Sequence, residues 1–219
     1  MKIFCLDFGN TRLKGALVVN DRVESYCEAA DMSLQTWKPI IEASKPDRII
    51  LSSVIHTDNS LEDYFKTVSS FHTLSIRSTL NFTIDVNQPE TIGADRLAMV
   101  AGAVKHFPDN PILVIGMGTC ITYSMIEENH CFTGGAISPG VDMRFKSMHQ
   151  QTARLPLVQF DANIPQIGKD TTSNLQSGVL YGVLGELEYM ISTLEQQYQG
   201  LKVILTGGNA PYFAERLKR

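Results

Sequence analysis

An aspartate that closes an apolar run is the first residue that could take part in chemistry. Residues 3–6 are uninterrupted apolar residues, a pattern typical of a strand buried on both faces, and Asp7 follows them directly. A carboxylate at a buried strand end costs free energy unless it is paired, hydrogen-bonded or bound to a cation. Gly9 and Asn10 then favour a tight turn. A turn-capping Asp in an ordinary hairpin explains this pattern, and so does a site for a metal-bound polyphosphate.

Basic and hydroxyl side chains follow within the same turn. Thr11, Arg12 and Lys14 supply one hydroxyl and two cations, and the apolar run 13–19 predicts a strand that returns beside the first. Backbone N–H groups in tight turns can bind phosphate oxygens. We therefore expect the carboxylate, the turn and the cations to converge at one strand end.

A second stretch repeats this design about a hundred residues further on. Residues 112–115 are apolar, Gly116 follows, and Gly118 and Thr119 form a turn before an alternating strand. Two phosphate-binding hairpins suggest two similar half-domains facing a nucleotide cleft, a layout that resembles the actin-like ATPase and sugar kinase fold. The polar turn 107–111 contains two prolines, so we place the halves at 1–110 and 111–219.

A third motif places an acid and a cation side by side. Gly93, Ala94, Asp95 and Arg96 lead into the Ala-rich run 97–104, which predicts a helix. The helix dipole favours an acid such as Asp95 near the amino terminus whatever its function, and the two charges also fit a solvated pair. Alternatively, Asp95 acts as a general base at the mouth of the cleft, and Arg96 is a fork for an anionic group of the substrate.

The rest of the chain predicts the elements that must hold these motifs. Strands followed by alternating helices and strands indicate an α/β architecture. The Gly- and Pro-rich stretch 131–140 predicts a rigid loop, and Gly207 and Gly208 predict a strand–helix junction that suits part of a nucleotide or a simple turn. The other predicted elements are strands at 22–26, 48–54, 74–76 and 201–205, and helices at 34–44, 61–68, 141–150 and from 168–172 to about 197.

The composition argues against several classes of protein. Of 219 residues, 43% are apolar and 19% are charged, which is usual for a globular protein with a real core. The net charge is −4 and no basic run occurs, so nucleic-acid binding is not expected. The four cysteines form no C-x-x-C pair, and no segment resembles a signal peptide or a membrane span, so we expect a protein of the reducing cytoplasm. The sequence also lacks P-loop, dinucleotide-binding, zinc and Ser-His-Asp motifs.

Taken together, the motifs resemble those of the type III pantothenate kinases, in the same order across nearly the whole chain. The stretches that carry the resemblance are 7–11, 93–96, 118–119, 134–140, 155–156, 168–171, 176–178 and 206–208. The resemblance implies an actin-like ATPase (ribonuclease H-like) fold and a homodimer. It also implies ATP-dependent phosphorylation of the primary hydroxyl of pantothenate to 4′-phosphopantothenate, the first step of coenzyme A synthesis.

The resemblance also implies a role for each motif. The counterpart of Asp95 is the catalytic base, and that of Asp7 helps to place Mg²⁺, through water, and the phosphates. Pantothenate contacts are implied for Gly93, Ala94, Asp95, Arg96 and Thr171. ATP contacts are implied for Asp7, Gly9, Asn10, Thr11, Arg12, Lys14, Gly118 and Thr119.

Two positions depart from the family pattern. The second phosphate motif of the family normally opens with an Asp associated with a monovalent cation, and Gly116 stands there, which leaves a K⁺ or NH₄⁺ requirement open. Val86 stands where many members carry a Tyr near the pantothenate pocket. Two alternatives therefore remain: an actin-like kinase for a sugar or another small alcohol, and a nucleotide-binding regulatory homologue without turnover.

Overall fold

β1 (Lys2–Phe8) is the central strand of the first of two five-stranded sheets in the computed structural model, which describes residues 1–57 and 59–217. Its antiparallel neighbour is β2 (Leu13–Val19), which pairs with β3 (Arg22–Ala29). Its parallel neighbour is β4 (Arg48–Ser53), which pairs with β5 (Ser70–Thr73). The strand order is therefore β3-β2-β1-β4-β5, and the predicted first hairpin is confirmed.

β1 alternates instead of being buried on both faces. Phe4, Leu6 and Phe8 are buried, whereas the side chain of Asp7 is exposed. The expectation of full burial is wrong because a short apolar run does not reveal whether both faces of a strand are covered. In the sheet, Asp7 is aligned with Lys14 of β2 and with Ser52 of β4.

Two helices pack with the buried side chains of this sheet. α1 (Leu34–Ser44) begins after Ser33, whose hydroxyl accepts the N–H of Thr36 at 3.2 Å, a usual amino-terminal cap. The second helix is α2 (Asn59–Val68), which begins two residues before its predicted start. Their shared core comprises Phe4, Leu6, Phe8, Leu13, Leu17, Trp37, Ile41, Ile49, Leu51, Leu61 and Phe65.

The edge strand β5 lies earlier in the chain than the apolar pattern predicts. The strand expected at 74–76 is instead Ser70–Thr73, which pairs Ser70 with Arg48 and Thr73 with Leu51. Leu74 still donates its N–H to the Leu51 carbonyl at 2.8 Å before the chain turns. Backbone pairing defines this short polar strand, so apolar residues are a poor guide to its position.

The second sheet repeats the strand order of the first. β7 (Ile112–Met117), β8 (Cys120–Ile126) and β9 (Cys131–Pro139) form an antiparallel meander, and β10 (Lys202–Thr206) lies parallel to β7. This arrangement matches β1, β2, β3 and β4. A short parallel strand, β6 (Thr83–Ile84), is added beside β9. The predicted similarity of two halves is therefore confirmed in their strand order.

β9 replaces the rigid loop that was expected at 131–140. Gly134 and Gly135 have φ angles of 117° and 150°, and the pairing register with β8 shifts beside them. Glycine tolerates such angles, so the two residues accommodate a bulge inside a strand. The sequence misleads here because glycine and proline rarely favour strands, whereas pairing with β8 supplies the backbone hydrogen bonds.

Four further α-helices follow α2 in the described part of the chain. They are α3 (Ala94–His106), α4 (Val141–Gln151), α5 (Thr171–Gln197) and α6 (Ala210–Arg216). α4 and α5 confirm the predicted helices, and residues 155–165 are irregular as expected. α5 packs a row of apolar side chains against the second sheet, among them Leu175, Val179, Leu180, Val183, Leu187 and Ile191.

Contacts between residues divide the chain into two compact units. The first consists of Met1–Leu80 and Gln88–Met99, and the second of Asn81–Asn87 and the chain from Val100 onwards. The division falls inside α3, whereas the boundary expected between 110 and 111 stays a prediction. No helix in the described part of the chain is long and apolar enough to cross a membrane.

We expect Gly207 to be essential for the stability of the second unit. It follows β10 with a φ of 102°, and a Cβ there would overlap the carbonyl oxygen of Met117. Gly207→Ala should therefore lower the free energy of unfolding by more than about 1 kcal/mol. In Gly208→Ala the added Cβ meets nothing within 4 Å, so the change should stay within about 0.5 kcal/mol. Denaturant unfolding compares the variants, and equal effects would contradict this account.

Candidate active site

α3 begins with the motif that contains the expected base. The carbonyl of Gly93 accepts the N–H groups of Arg96 at 3.0 Å and of Leu97 at 3.2 Å, so the helix starts directly after this glycine. Asp95 lies half-buried in the first turn. A Cβ on Gly93 would overlap the Oδ1 atom of Asp95. The sequence needs glycine at position 93 because any side chain there would displace the Asp95 carboxylate.

Asp7 and Asp95 interact electrostatically within the first unit. Although part of the Asp7 side chain is exposed, neighbouring protein atoms desolvate its carboxylate and raise its pKa, the cation of Lys14 lowers it, and the charge of Asp95 raises it again. The net pKa shift of Asp7 is upward. Desolvation and a nearby negative charge both disfavour the ionised form of Asp7, so this strand end favours a bound cation or a proton.

Ser52 adds a buried hydroxyl next to this carboxylate. It is aligned with Asp7 in the ladder between β1 and β4 and is only 7% exposed. Its Oγ atom has no hydrogen-bond partner among the described residues. Since buried polar atoms are nearly always paired, an unpaired hydroxyl beside Asp7 marks this strand end as polar and incompletely satisfied.

Arg96 places a cation immediately after Asp95. The guanidinium is half-buried, and burial lowers its pKa while the charge of Asp95 raises it. An arginine stays protonated in proteins despite such a shift. It therefore remains a planar fork that matches a carboxylate or a phosphate.

The turn between β1 and β2 contains the other residues predicted to bind phosphate. These are Gly9, Asn10, Thr11 and Arg12. The N–H of Gly9 donates to the carbonyl of Arg12 at 3.0 Å, which closes the turn. The side chain of Arg12 contacts Glu28 of β3 at 3.3 Å, and both side chains are exposed. An exposed ion pair is weak, so Arg12 can exchange this partner for a phosphate at low cost.

A cavity of about 550 Å³ lies beside the start of α3, entirely within the first unit. It is lined by Ser53 and Val54 after β4, by residues 74–77 after β5, and by Glu90 and residues 92–94. Parallel strands end here, and ligands of α/β proteins commonly bind beyond the carboxyl ends of such strands. Residues 53–54 and 74–77 were not predicted to line a site, because no sequence motif includes them.

The second turn predicted to bind phosphate, Gly118 and Thr119, lies in the second unit at the end of β7. The N–H of Gly118 donates to the Cys120 carbonyl at 3.1 Å. Gly116 takes the place in β7 that Asp7 takes in β1, since each is aligned with a hydroxyl residue of the parallel neighbour. Glycine has no side chain, so the second turn lacks a carboxylate at this position.

Thr171 is the first residue of α5 and is exposed. The Asp170 side chain accepts the N–H of Ser173 at 2.8 Å, and the Ser173 hydroxyl accepts the N–H of Asp170 at 3.1 Å. This reciprocal cap holds Thr171 in a defined orientation at the start of the helix. Val86, after β6, also belongs to the second unit.

The predicted site residues are thus shared between the two units. The first unit contains Asp7, Gly9, Asn10, Thr11, Arg12, Lys14, Gly93, Ala94, Asp95 and Arg96. The second contains Gly118, Thr119 and Thr171. Within the first unit, the structure brings the two acids together although they are far apart in the sequence.

We expect Asp7 to reduce stability at neutral pH. Its folded-state pKa is raised, so its ionised form costs stability above that pKa, and the cost disappears below the unfolded-state pKa near about 4. Asp7→Asn should therefore raise the melting temperature at pH 7, and the gain should vanish as the pH falls towards 4. Thermal unfolding across this range measures the effect.

Asp31→Asn provides a control of opposite sign. Hydrogen bonds from the Ser33 hydroxyl and backbone and from the Thr36 hydroxyl lower the pKa of Asp31. Its ionised form is therefore favoured in the folded state, so Asp31→Asn should lower the melting temperature at pH 7, and this loss should disappear only as the pH falls below about 4, through the lowered folded-state pKa of Asp31. A melting temperature that falls in Asp7→Asn at pH 7 would contradict the interpretation of Asp7.

Comparison with known sequences identifies one family. The family model for type III pantothenate kinase matches residues 3–193. The type III pantothenate kinase of Cytophaga hutchinsonii is 41% identical over 179 residues, covering 81% of this chain and 75% of the relative. That of Christiangramia forsetii is 38% identical and covers 97% of this chain and 88% of the relative. That of Flavobacterium johnsoniae is 34% identical, with 99% and 89% covered.

Solved structures support the fold. A protein from Campylobacter jejuni, named provisionally as a conserved Baf family transcriptional activator, superposes with a TM-score of 0.61 at 21% identity, covering 98% of this chain and 88% of the other. A protein from Listeria monocytogenes, named provisionally as an N-acetylmannosamine kinase, gives 0.52 at 16% identity, with 100% and 88% covered. At such identities the likeness concerns the fold alone, which is the predicted actin-like ATPase fold.

These results agree with the motifs and with the strand order. The family model spans most of the chain, and several relatives exceed 30% identity over nearly its full length. The chain therefore belongs to the type III pantothenate kinase family.

Proposed function

We propose that the chain transfers the γ-phosphoryl group of ATP to the primary hydroxyl of pantothenate and so forms 4′-phosphopantothenate for coenzyme A synthesis. The observation that carries the proposal is the match of the family model to residues 3–193, and it is supported by the electrostatic interaction of Asp7 with Asp95 and by a cavity lined by Gly93 and Ala94. A volume of about 550 Å³ is within the usual range for small-molecule sites.

Asp95 is the proposed general base. It accepts the proton of the acceptor hydroxyl as the hydroxyl oxygen forms its bond to the γ-phosphorus, and the bond from that phosphorus to the bridging oxygen breaks to release ADP. Phosphoryl transfer depends mainly on positioning and charge neutralisation, so the base contributes one part of the rate. The cavity touches Gly93 and Ala94, directly before Asp95, and this proximity supports the proposed role of Asp95.

The acceptor side of the proposed site is mixed in character. Val54, Ile76 and Ile92 provide apolar walls for the cavity, while Arg77 and Glu90 provide one charge of each sign. Pantothenate has a branched apolar part, an amide and a carboxylate, so it needs both kinds of surface. We assign the carboxylate to the Arg96 fork and a further pantothenate contact to Thr171, as the family resemblance implies.

The first unit fits a magnesium ion that is held mainly by water and phosphate oxygens. No group of three or more His, Cys, Asp or Glu side chains that could hold a metal occurs in the described part of the chain. Mg²⁺ usually needs only one or two carboxylates beside water and substrate phosphates. Asp7 would hold the ion, through water, and the bound ion would neutralise charge on the phosphate oxygens.

Nucleotide contacts come from both hairpin turns in this proposal. Gly9, Asn10, Thr11, Arg12 and Lys14 of the first turn, together with Gly118 and Thr119 of the second, bind the phosphates of ATP. Gly116 offers no carboxylate to a monovalent cation, so we propose that turnover does not require K⁺ or NH₄⁺. A homodimer in the cytoplasm completes the proposal, in keeping with the family and with the four free cysteines.

The test is ADP release from MgATP, with and without pantothenate, in potassium and in sodium buffer. Pantothenate-dependent release at equal rates in both buffers is the expected result. Release that depends on a sugar or on another alcohol would favour a different actin-like kinase. Nucleotide binding without any acceptor-dependent release would favour a regulatory homologue.

Removing the base should lower turnover without unfolding the protein. We expect Asp95→Asn to reduce kcat by about 10²–10⁴-fold, the usual contribution of a positioned base. Glu62→Gln is the matched control, because Glu62 also lies in the first turn of a helix, α2. It should leave kcat near that of the parent. Turnover of Asp95→Asn within threefold of the parent would exclude Asp95 as the base.

Displacing the same carboxylate should have a related effect. An added Cβ in Gly93→Ala overlaps Asp95 Oδ1, so we expect kcat to fall by about 10²-fold through misplacement of the base. Gly102→Ala adds a Cβ in the same helix where nothing lies within 4 Å, and its kcat should stay within about twofold. Steady-state kinetics and melting temperatures of both variants separate a local effect on Asp95 from loss of folded protein.

A further inference from the structure

An ion pair between α4 and α5 lies outside every motif considered so far. Arg144 Nη2 contacts Glu186 Oε2, and the two side chains are 23% and 26% exposed. By contrast, the side chains of the pair Lys66–Asp63 are 56% and 71% exposed. The Arg144–Glu186 pair is therefore partly desolvated, and partial desolvation strengthens its dependence on good geometry.

Glu186 accepts hydrogen bonds from three elements of the second unit. Its Oε1 atom accepts the hydroxyl of Tyr123 at 2.8 Å and the hydroxyl of Ser138 at 2.5 Å, and its Oε2 atom accepts from Arg144. Burial raises the pKa of Glu186, but the hydrogen bonds from Ser138, Arg144 and Tyr123 outweigh it, so the net pKa is lowered. Glu186 is therefore ionised at neutral pH and links β8, β9 and α4.

Arg144 donates hydrogen bonds directly to the end of β9. Its Nε atom donates to the Pro139 carbonyl at 2.8 Å, and its Nη2 atom donates to the Ser138 hydroxyl at 3.3 Å. One guanidinium thus contacts two consecutive residues of the strand end while it holds Glu186. The planar fork of an arginine suits such a multiple contact, which a lysine cannot reproduce.

The strand end that Arg144 contacts continues to Gly140, which touches the Gly118–Thr119 turn. The N–H of Gly140 donates to the Thr119 carbonyl at 3.0 Å. A Cβ on Gly140 would overlap the carbonyl oxygens of Gly118 and Thr119, so the two backbones touch without spare room. Any shift of residues 138–140 must therefore move the turn.

We propose that Arg144 and Glu186 are positioning residues that hold the Gly118–Thr119 turn in its nucleotide-binding geometry. The inference rests on the proposed function to the extent that this turn binds ATP phosphates. The pair does not touch the nucleotide itself. It acts through Ser138, Pro139 and Gly140. Hydrogen bonds from the pair fix the end of β9, and the backbone of that strand end contacts the turn.

The experiment measures nucleotide affinity separately from turnover. MgADP binding is followed by isothermal titration calorimetry for the parent, Glu186→Gln, Arg144→Met and the double variant. We expect each single variant to weaken MgADP binding by about tenfold, a usual effect of residues that orient ligand-binding groups. The double variant should be no weaker than the worse single variant, because the two residues act as one unit.

Kinetics provide a readout that a general loss of stability would not give. KM for ATP should rise about tenfold in the single variants, whereas KM for pantothenate should change less than twofold, since the hydrogen bonds of the pair lead to the Gly118–Thr119 turn and not to the residues proposed to bind pantothenate. Arg144→Lys keeps the positive charge but not the fork, and it should recover only part of the lost affinity. Asp63→Asn breaks the exposed pair in the first unit and should leave MgADP affinity unchanged.

Ser138→Ala keeps the test decisive if the charged variants do not fold. It removes one hydroxyl that bonds both Arg144 and Glu186, and it should weaken MgADP binding about threefold or more. MgADP affinity equal to that of the parent in the folded variants would overturn the inference while leaving the pantothenate kinase proposal intact. A parent that binds MgADP but does not phosphorylate pantothenate would overturn the proposed function, and the binding data would still test the inference.

Discussion

The partly desolvated carboxylate of Asp7, at the end of a central strand, is the constraint on which the first unit depends. Asp7 lies on the central strand β1, and Asp95 lies in the first turn of α3. The charge of Asp95 adds to the rise in the pKa of Asp7. Neither acid is needed by the apolar core beneath the sheet. Acids that are retained at an energetic cost are characteristic of functional sites, where a cation or a substrate supplies the missing compensation.

The two halves share a strand order but not their chemistry. β1 and β7 occupy equivalent positions, each between an antiparallel and a parallel neighbour, and each leads into a tight turn and a returning strand. At the aligned position the first strand has Asp7 and the second has Gly116. The architecture therefore permits a carboxylate in both halves, and only the side chains decide which half provides it. This is why the family assignment depends on residues and the fold assignment on topology.

Backbone contacts hold the second turn, whereas side-chain charges dominate the first. Gly207 approaches the backbone of Met117 from one element, and Gly140 approaches Gly118 and Thr119 from another. Close approach of this kind is possible only where a Cβ is absent. The half-buried Arg144–Glu186 pair extends the same restraint to the end of β9. A turn fixed in this way is preorganised, and preorganisation lowers the cost of binding for any ligand that the turn accepts.

The sequence by itself determined the local features of this protein. The boundaries of α1, the two hairpins, the place of Asp95 at a helix start and the ordered motifs of the family all depend on short-range patterns, and the structure confirms α1, both hairpins and the helix start at Asp95. Tertiary structure decided the rest. Pairing with β8 turned the glycine-rich stretch 131–140 into a strand, and pairing with β4 moved the edge strand to Ser70–Thr73. The approach of Asp7 to Asp95, the cavity beside α3 and the contact of Arg144 with Glu186 join residues that are distant in the chain. Such contacts follow from how strands pair and helices pack, and no local pattern of residue types encodes them.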